Sequence, residues 1–379
     1  MAMTHPALFC TAARALCAVT CALLLGADGY ADTVRVGVSA PLTGVQSASG
    51  NDVVNHLRAA VTELNAGNAF GAHTVELVVA DDGYDPELTR RNVRAMIERE
   101  RVLLLINQIG SANIVAALNV ARGSGVCLFA PLAGPSAIYD DALRPGLVTL
   151  RASYADEAAQ QAKMLASMAI ERVAIVYQDD AFGQDVLAAW RRAIDAQNGM
   201  VRTQLVAAIP LARGDSNTRQ AIKQALQADP GAVILPLAGS LATQAARQVR
   251  EARVIPMLMS VGVTSETIST LSDSPTGGSG IVLFSSVMPL PTGRAVSPLL
   301  RDYAEFRARN RLSPSFRGLE AYVSIRALAA QLRKLPRPSA SALASALAAP
   351  PEHVVADTAF RTRAPRHVDI YAITRTGVL

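Results

Sequence analysis

Side chains able to run a reaction are sparse in this chain, and their spacing fits no common catalytic pattern. His56, His73, His353 and His367 are the histidines beyond residue 31. No two stand one helical turn apart, the spacing that presents a pair of imidazoles to zinc. There is no Gly-x-Ser-x-Gly nucleophile elbow, no Gly-x-x-x-x-Gly-Lys-Ser/Thr phosphate loop and no Gly-x-Gly-x-x-Gly after the first strand-like run. Gly277-Gly278-Ser279-Gly280 precedes a strand instead of joining a strand to a helix, so it reads as a flexible turn. Asp81-Asp82 has the composition of a cation site, but carboxylates ending a strand more often cap the next helix or face water. Cys127 sits in the apolar run Val126-Cys127-Leu128-Phe129 and reads as a small core hydrophobe rather than a nucleophile. The chain is therefore expected to hold no metal and no cofactor, and not to be an enzyme.

What remains is a set of small, polar loops that follow strand-like runs. The first is Ala40-Pro41-Leu42-Thr43-Gly44, with Ser47, Ser49 and Gly50 opening a helix. Another is Asn107 to Asn113, in which Ser111 is predicted to cap a helix and leave backbone N–H groups free. A third is Pro131-Leu132-Ala133-Gly134-Pro135-Ser136, whose small side chains let a ligand approach the backbone. Loops at the carboxyl ends of parallel strands are where open α/β sheets bind ligands, and a helix start there is a seat for a carboxylate.

The elements that must position these loops follow from an alternation of short β-branched runs with longer amphipathic stretches, the pattern of a parallel sheet covered by helices. The spacing predicts strands over residues 34–38, 74–80, 101–106, 126–130 and 147–150, separated by helices over 50–65, 86–99 and 111–122. The series restarts with helices over 154–169, 182–197, 216–228 and 240–252 between strands over 172–177, 201–208, 232–235, 256–259 and 280–285. Helices over 296–310 and 318–334, a short helix within Leu335–Pro351 and an edge strand over 367–374 complete it. At 379 residues the chain exceeds what one core organises, since cores stop growing near about 250–300 residues, so two lobes are expected.

Residues 1–31 read as a cleavable export signal. Arg14 is their one Lys or Arg, Ala15–Leu25 is too short an apolar run to span a bilayer, and Gly29-Tyr30-Ala31 supplies the small residues of a cleavage site. Cleavage is predicted after Ala31, with a periplasmic destination. Cys10, Cys17 and Cys21 leave with the signal, and Cys127 alone stays. The net charge of +5 is a small excess spread along the chain, which argues against nucleic-acid binding.

Five segments together resemble one family. They are Val34 to Gly44, Val78-Val79-Ala80-Asp81-Asp82 with Asp85-Pro86, Phe129-Ala130-Pro131 with Ala133, Val173 to Tyr177, and Phe182-Gly183. In order and spacing the chain is similar to the periplasmic leucine/isoleucine/valine-binding proteins of ABC transporters. The resemblance implies a type I periplasmic-binding fold: α/β, two Rossmann-like lobes with mostly parallel sheets, joined by a three-crossing hinge. Lobe 1 is expected over 32–151 plus about 285–366, and lobe 2 over 152–284 plus about 367–379. The implied function is capture of a small organic ligand, carboxylate-bearing and either amino-acid-like or an organic acid, for delivery by a monomer to a membrane ABC permease. The alternative is a ligand sensor of the same fold that signals to a membrane receptor.

By the same resemblance Ser111 and the loop after the fourth strand, with Ala133, Gly134 and Ser136, hold the carboxylate. Ser49 stands where relatives carry an aromatic residue, and Phe182 where they carry a tyrosine. Gly134 replaces a threonine. No acid for a ligand ammonium is present in Ser260-Val261-Gly262, which argues against ordinary branched-chain amino acids. Tyr154 and Ser153 are expected on the second lobe's wall. Arg317 is either a solvated helix-start residue or a cation in the cleft that favours an anionic ligand.

Overall fold

The computed structural model describes residues 32–140, 146–199, 202–212, 215, 217–252, 258–259, 265–272, 282–291, 297–348, 368–374 and 377–378. The expected signal peptide, the Ser260–Gly262 segment, the Gly277–Gly280 turn, His353 and His367 lie outside these residues. The first lobe is built on β1 (Thr33–Ala40), α1 (Ser47–Ala66), β2 (Thr74–Asp81), α2 (Pro86–Glu98), β3 (Leu104–Ile106), α3 (Ser111–Ala121), β4 (Cys127–Phe129) and β5 (Leu147–Val148). Its five strands run parallel in the order β2-β1-β3-β4-β5.

The chain then passes into a second sheet through α4 (Tyr154–Ser167), β6 (Arg172–Asp179), α5 (Ala181–Asp195), β7 (Gln204–Ala212), α6 (Thr218–Gln227), β8 (Ala232–Ile234), α7 (Ser240–Glu251), β9 (Leu258–Met259), α8 (Ser265–Ser272) and β10 (Val282–Ser286). It returns to the first lobe with α9 (Pro298–Asn310), α10 (Phe316–Leu332) and α11 (Ala340–Ala348). There α10 lies along α1 and α11 packs over β4 and β5. Finally β11 (Asp369–Thr374) and β12 (Gly377–Val378) join the second sheet, whose order is β12-β11-β10-β9-β8-β6-β7. Strands β7 to β10 and β6 are parallel, and β11 is antiparallel to β10.

The short central strands have no polar face because helices cover both sides. Leu104 and Ile106 enter one apolar cluster and Leu105 the other, and Cys127 and Phe129 alternate with Leu128 in the same way. This period of two, apolar on both faces, marks a buried parallel strand. The sequence pattern anticipated the order of elements. Two local differences have physical causes. β3 starts at Leu104 rather than Arg101, because Arg101 takes a left-handed turn (φ 55°). Helix α8 was not anticipated, since Ser265–Ser272 is rich in Ser and Thr and offers little apolar period. No helix among the described residues is long and apolar enough to cross a membrane.

Candidate functional site

The carboxyl ends of β1, β3 and β4 deliver their loops to one edge of the first sheet, facing the second lobe. The helices of the two lobes start in two ways. Most helices are closed by their own side chains: Asp85 accepts from Glu87 N at the start of α2, Ser153 and Asp156 form a reciprocal box on α4, and Asp180 accepts from Phe182 N and Gly183 N on α5. Asn217, Ser297 and Ser315 do the same for α6, α9 and α10. Among the described helix starts, three have no side-chain cap: α1 after Gln46, α3 after Gly110 and α7 after Gly239. All three follow strand-end loops. A helix start without a capping side chain presents N–H donors and the positive end of the helix dipole.

Ser111 is the first residue of α3, not its cap. The cap is Gly110, with φ 98° and ψ 132°. A Cβ at Gly110 would stand 2.6 Å from the Tyr84 ring, so the loop approaches too closely for a capping serine. Ser111 is buried, and its hydroxyl lies 3.4 Å from that of Tyr154, the first residue of α4. Burial pushes the Tyr154 phenol up, so it stays protonated. The Tyr154 ring meets Phe182 edge-on at 5.5 Å, and both rings are buried. Ser111, Tyr154 and Phe182 thus join the two lobes in one contact.

The loop after β4 is held by the first crossing between lobes. Tyr154 N donates to Gly134 O at 2.8 Å, and a Cβ at Gly134 would lie 2.8 Å from Ala152 O. Glycine is required there by close approach. Ala133 is buried beside it. Ser136 reaches the second lobe: its N–H donates to Asp185 (2.9 Å), and its hydroxyl accepts from Arg192 (3.3 Å). Ser49 is buried in the first turn of α1. The lobes also touch where Gly239 lies against Val45, so closely that a Cβ would stand 1.9 Å from the Val45 carbonyl.

Asp81 and Asp82 fix this edge by accepting hydrogen bonds from it. Asp81 accepts from Leu42 N, Thr43 Oγ1 and Gly83 N, and although burial opposes it, these bonds hold its carboxyl below the usual range. Asp82 is fully buried, which pushes its carboxyl up, and it accepts from Ser39, Tyr84 N and Thr89. The pair neither caps a helix nor forms a metal cluster; among the described residues no group of three or more His, Cys, Asp or Glu could hold a cation. Burial raises the Cys127 thiol to about 12, as befits a core residue.

Sequence reasoning missed a buried charge cluster at the hinge. Arg151, on the first crossing, is 3% exposed and bonds Glu157 of α4, 1% exposed, at 3.2 Å. Its Nη1 lies 3.7 Å from Glu320 of α10, which Arg317 meets at 3.2 Å. Ser285 of β10 donates to Glu157 (2.6 Å) and accepts from Gln161 (2.8 Å). Burial would lower the Arg151 guanidinium, but Glu320 and Glu157 more than offset it, so Arg151 stays charged. Burial pushes Glu157 up, and Arg151 and Ser285 pull it back in part. Arg317 is part of this cluster rather than solvated: it is 12% exposed and also donates to Leu132 O, in the loop after β4. The sequence did carry a signal. Glu157 falls on the buried stripe of α4 with Tyr154, Ala158, Gln161 and Leu165, where an unpaired charge would be prohibitive.

Comparison with known proteins agrees with this architecture. Residues 33–368 match the family described as periplasmic binding protein. The Leu/Ile/Val-binding protein homolog 2 of Brucella abortus is 33% identical over 112 residues, which is 29% of this chain and 30% of that protein. The match thus spans about a third of that curated relative's length. A possible leucine/isoleucine/valine-binding protein from Rhodopirellula baltica superposes with a TM-score of 0.81 at 23% identity, covering 93% of this chain and 97% of that one. An ABC transporter solute-binding protein from R. palustris, solved with benzoate, superposes with a TM-score of 0.78 at 16% identity, covering 92% and 95%. These two likenesses are of fold.

Proposed function

We propose, from the premise that the chain belongs to the periplasmic binding protein family, that it is an exported, monomeric solute-binding protein. It captures a small carboxylate-bearing molecule between its lobes and presents it to an ABC permease, without catalysing a reaction. Residues 1–31 serve as the export signal, and the lobes divide near residues 151, 285 and 366. The observation that carries this reading is the set of side-chain-free helix starts at the facing strand ends, with the Ser111 and Tyr154 hydroxyls beside that of α3. Such an arrangement suits an anion, because backbone N–H groups and hydroxyls donate while the dipole favours negative charge.

The carboxylate docks at α3 with Ser111, and the loop carrying Ala133 and Gly134 supplies backbone. Closure then brings Phe182 and Tyr154 over the ligand, so contacts from the second lobe exist only in the shut form. A micromolar affinity corresponds to about 8 kcal/mol, within reach of a few charge-assisted hydrogen bonds plus burial. Thermal-shift screening of the purified protein against amino acids, aromatic acids, aliphatic acids and their amides tests this. Carboxylates should raise the melting temperature with a dependence on concentration over dissociation constant, and their amides should not. A screen in which amides match their acids refutes the carboxylate reading.

A further inference from the structure

Between the lobes at the hinge lies a small recess lined by Arg151, Glu157, Ser285, Ser286, Arg317 and Glu320, with Phe284 and Phe316 meeting edge to face at 5.5 Å in its wall. Its free space is about 20 Å³, room for a single oxygen-sized group. It borders the loop after β4, since Arg317 donates to Leu132 O beside Ala133. The formal charges of its walls cancel, two arginines against two glutamates. Its hydrogen bonding is incomplete. Among the described residues no protein atom accepts from Arg151 Nε or Nη1, both fully buried, and Glu320 Oε2 stands 3.7 Å from Nη1, beyond hydrogen-bond reach. Buried charged donors are seldom left without an acceptor.

We infer that this recess is a second subsite of the ligand cleft, one that reads an uncharged hydroxyl at the end of the ligand remote from its carboxylate. The choice of group follows by elimination. A second carboxylate would bring an uncompensated negative charge beside Glu157 and Glu320, and an ammonium would meet Arg151 and Arg317. A hydroxyl accepts from Arg151, completing it, and donates to Glu320. Arg151 is on this account a specificity-determining residue, and the preferred ligand is a hydroxy acid. The inference rests on the solute-binding reading above.

The test is isothermal titration of the purified protein with acid pairs that differ by one hydroxyl: benzoate with 4-hydroxybenzoate, and hexanoate with 6-hydroxyhexanoate. The hydroxy acid of a bound pair should bind about tenfold more tightly or better, the effect of hydrogen bonds to charged groups. Arg151→Lys should erase most of that preference. If that variant does not fold, the ligand pairs alone decide. Equal affinities within every bound pair overturn the inference and leave the solute-binding reading intact. If no carboxylate binds, the carboxylate reading fails and takes the subsite with it. A crystal structure of a bound complex with only water in the recess also overturns the inference.

Discussion

Replacing Arg151 with methionine should be among the most damaging single changes in the protein, and the damage should depend on pH. Arg151 is 3% exposed and, among the described residues, is the one cation bonded to Glu157, itself 1% exposed. Glu320 keeps Arg317 at 3.2 Å, so the loss falls mainly on Glu157, left with the Ser285 hydroxyl as donor. Breaking a buried pair from one side costs about 3–5 kcal/mol, because a desolvated charge remains. The Glu157 carboxyl, already raised by burial, loses the partner that pulls it back and rises further. A carboxyl raised above its unfolded value holds its proton more tightly in the folded protein. Its stabilising contribution is full below the unfolded value and is lost as pH rises through the folded one. The variant's deficit should therefore be larger at about pH 8 than at about pH 5. Trp190, the single tryptophan, is fully buried in α5 and reports urea unfolding by fluorescence. A deficit under about 1 kcal/mol, or one equal at both pH values, would refute the assignment of Arg151 and Glu157 as a buried coupled pair.

Other substitutions probe the cleft itself. Ser111→Ala should weaken a bound carboxylate by about tenfold, the effect of one hydrogen bond to a charged group, with little change in urea midpoint; unchanged affinity by calorimetry removes Ser111 from the site. Gly239→Ala places a Cβ 1.9 Å from the Val45 carbonyl, so the lobes cannot approach as they do here. Affinity should drop by about tenfold or more, and an unaltered dissociation constant would show that closure does not use this contact. Cys127 is 1% exposed with its thiol raised to about 12, so a thiol reagent at about pH 8 should leave the native protein untouched and label it only on unfolding. Rapid labelling of Cys127 in the native protein would contradict its place in the core.

The order of strands and helices was legible because each central strand is a short apolar run and each helix an amphipathic one, with start signals such as Asp85-Pro86 that the structure uses as read. The site was legible only as a set of loops. Ser111 was expected to be a cap because serine favours that position, but the close approach of Tyr84 to the loop demands Gly110 there. The hinge cluster was legible only through Glu157 on the buried stripe of α4, and its pairing was not, for another reason. Arg151, Glu157 and Glu320 come from a crossing and two helices far apart in sequence, and a lone charged residue in a helical pattern ordinarily signals a solvated face. Only tertiary packing brings them together, and only their burial shows that they are paired.

Small-angle X-ray scattering of the purified protein, titrated with the acid that gives the largest thermal shift, tests ligand-driven closure most directly. The radius of gyration should fall as ligand is added, saturating at the dissociation constant found by calorimetry. A radius that stays constant through full occupancy would contradict capture by closing lobes.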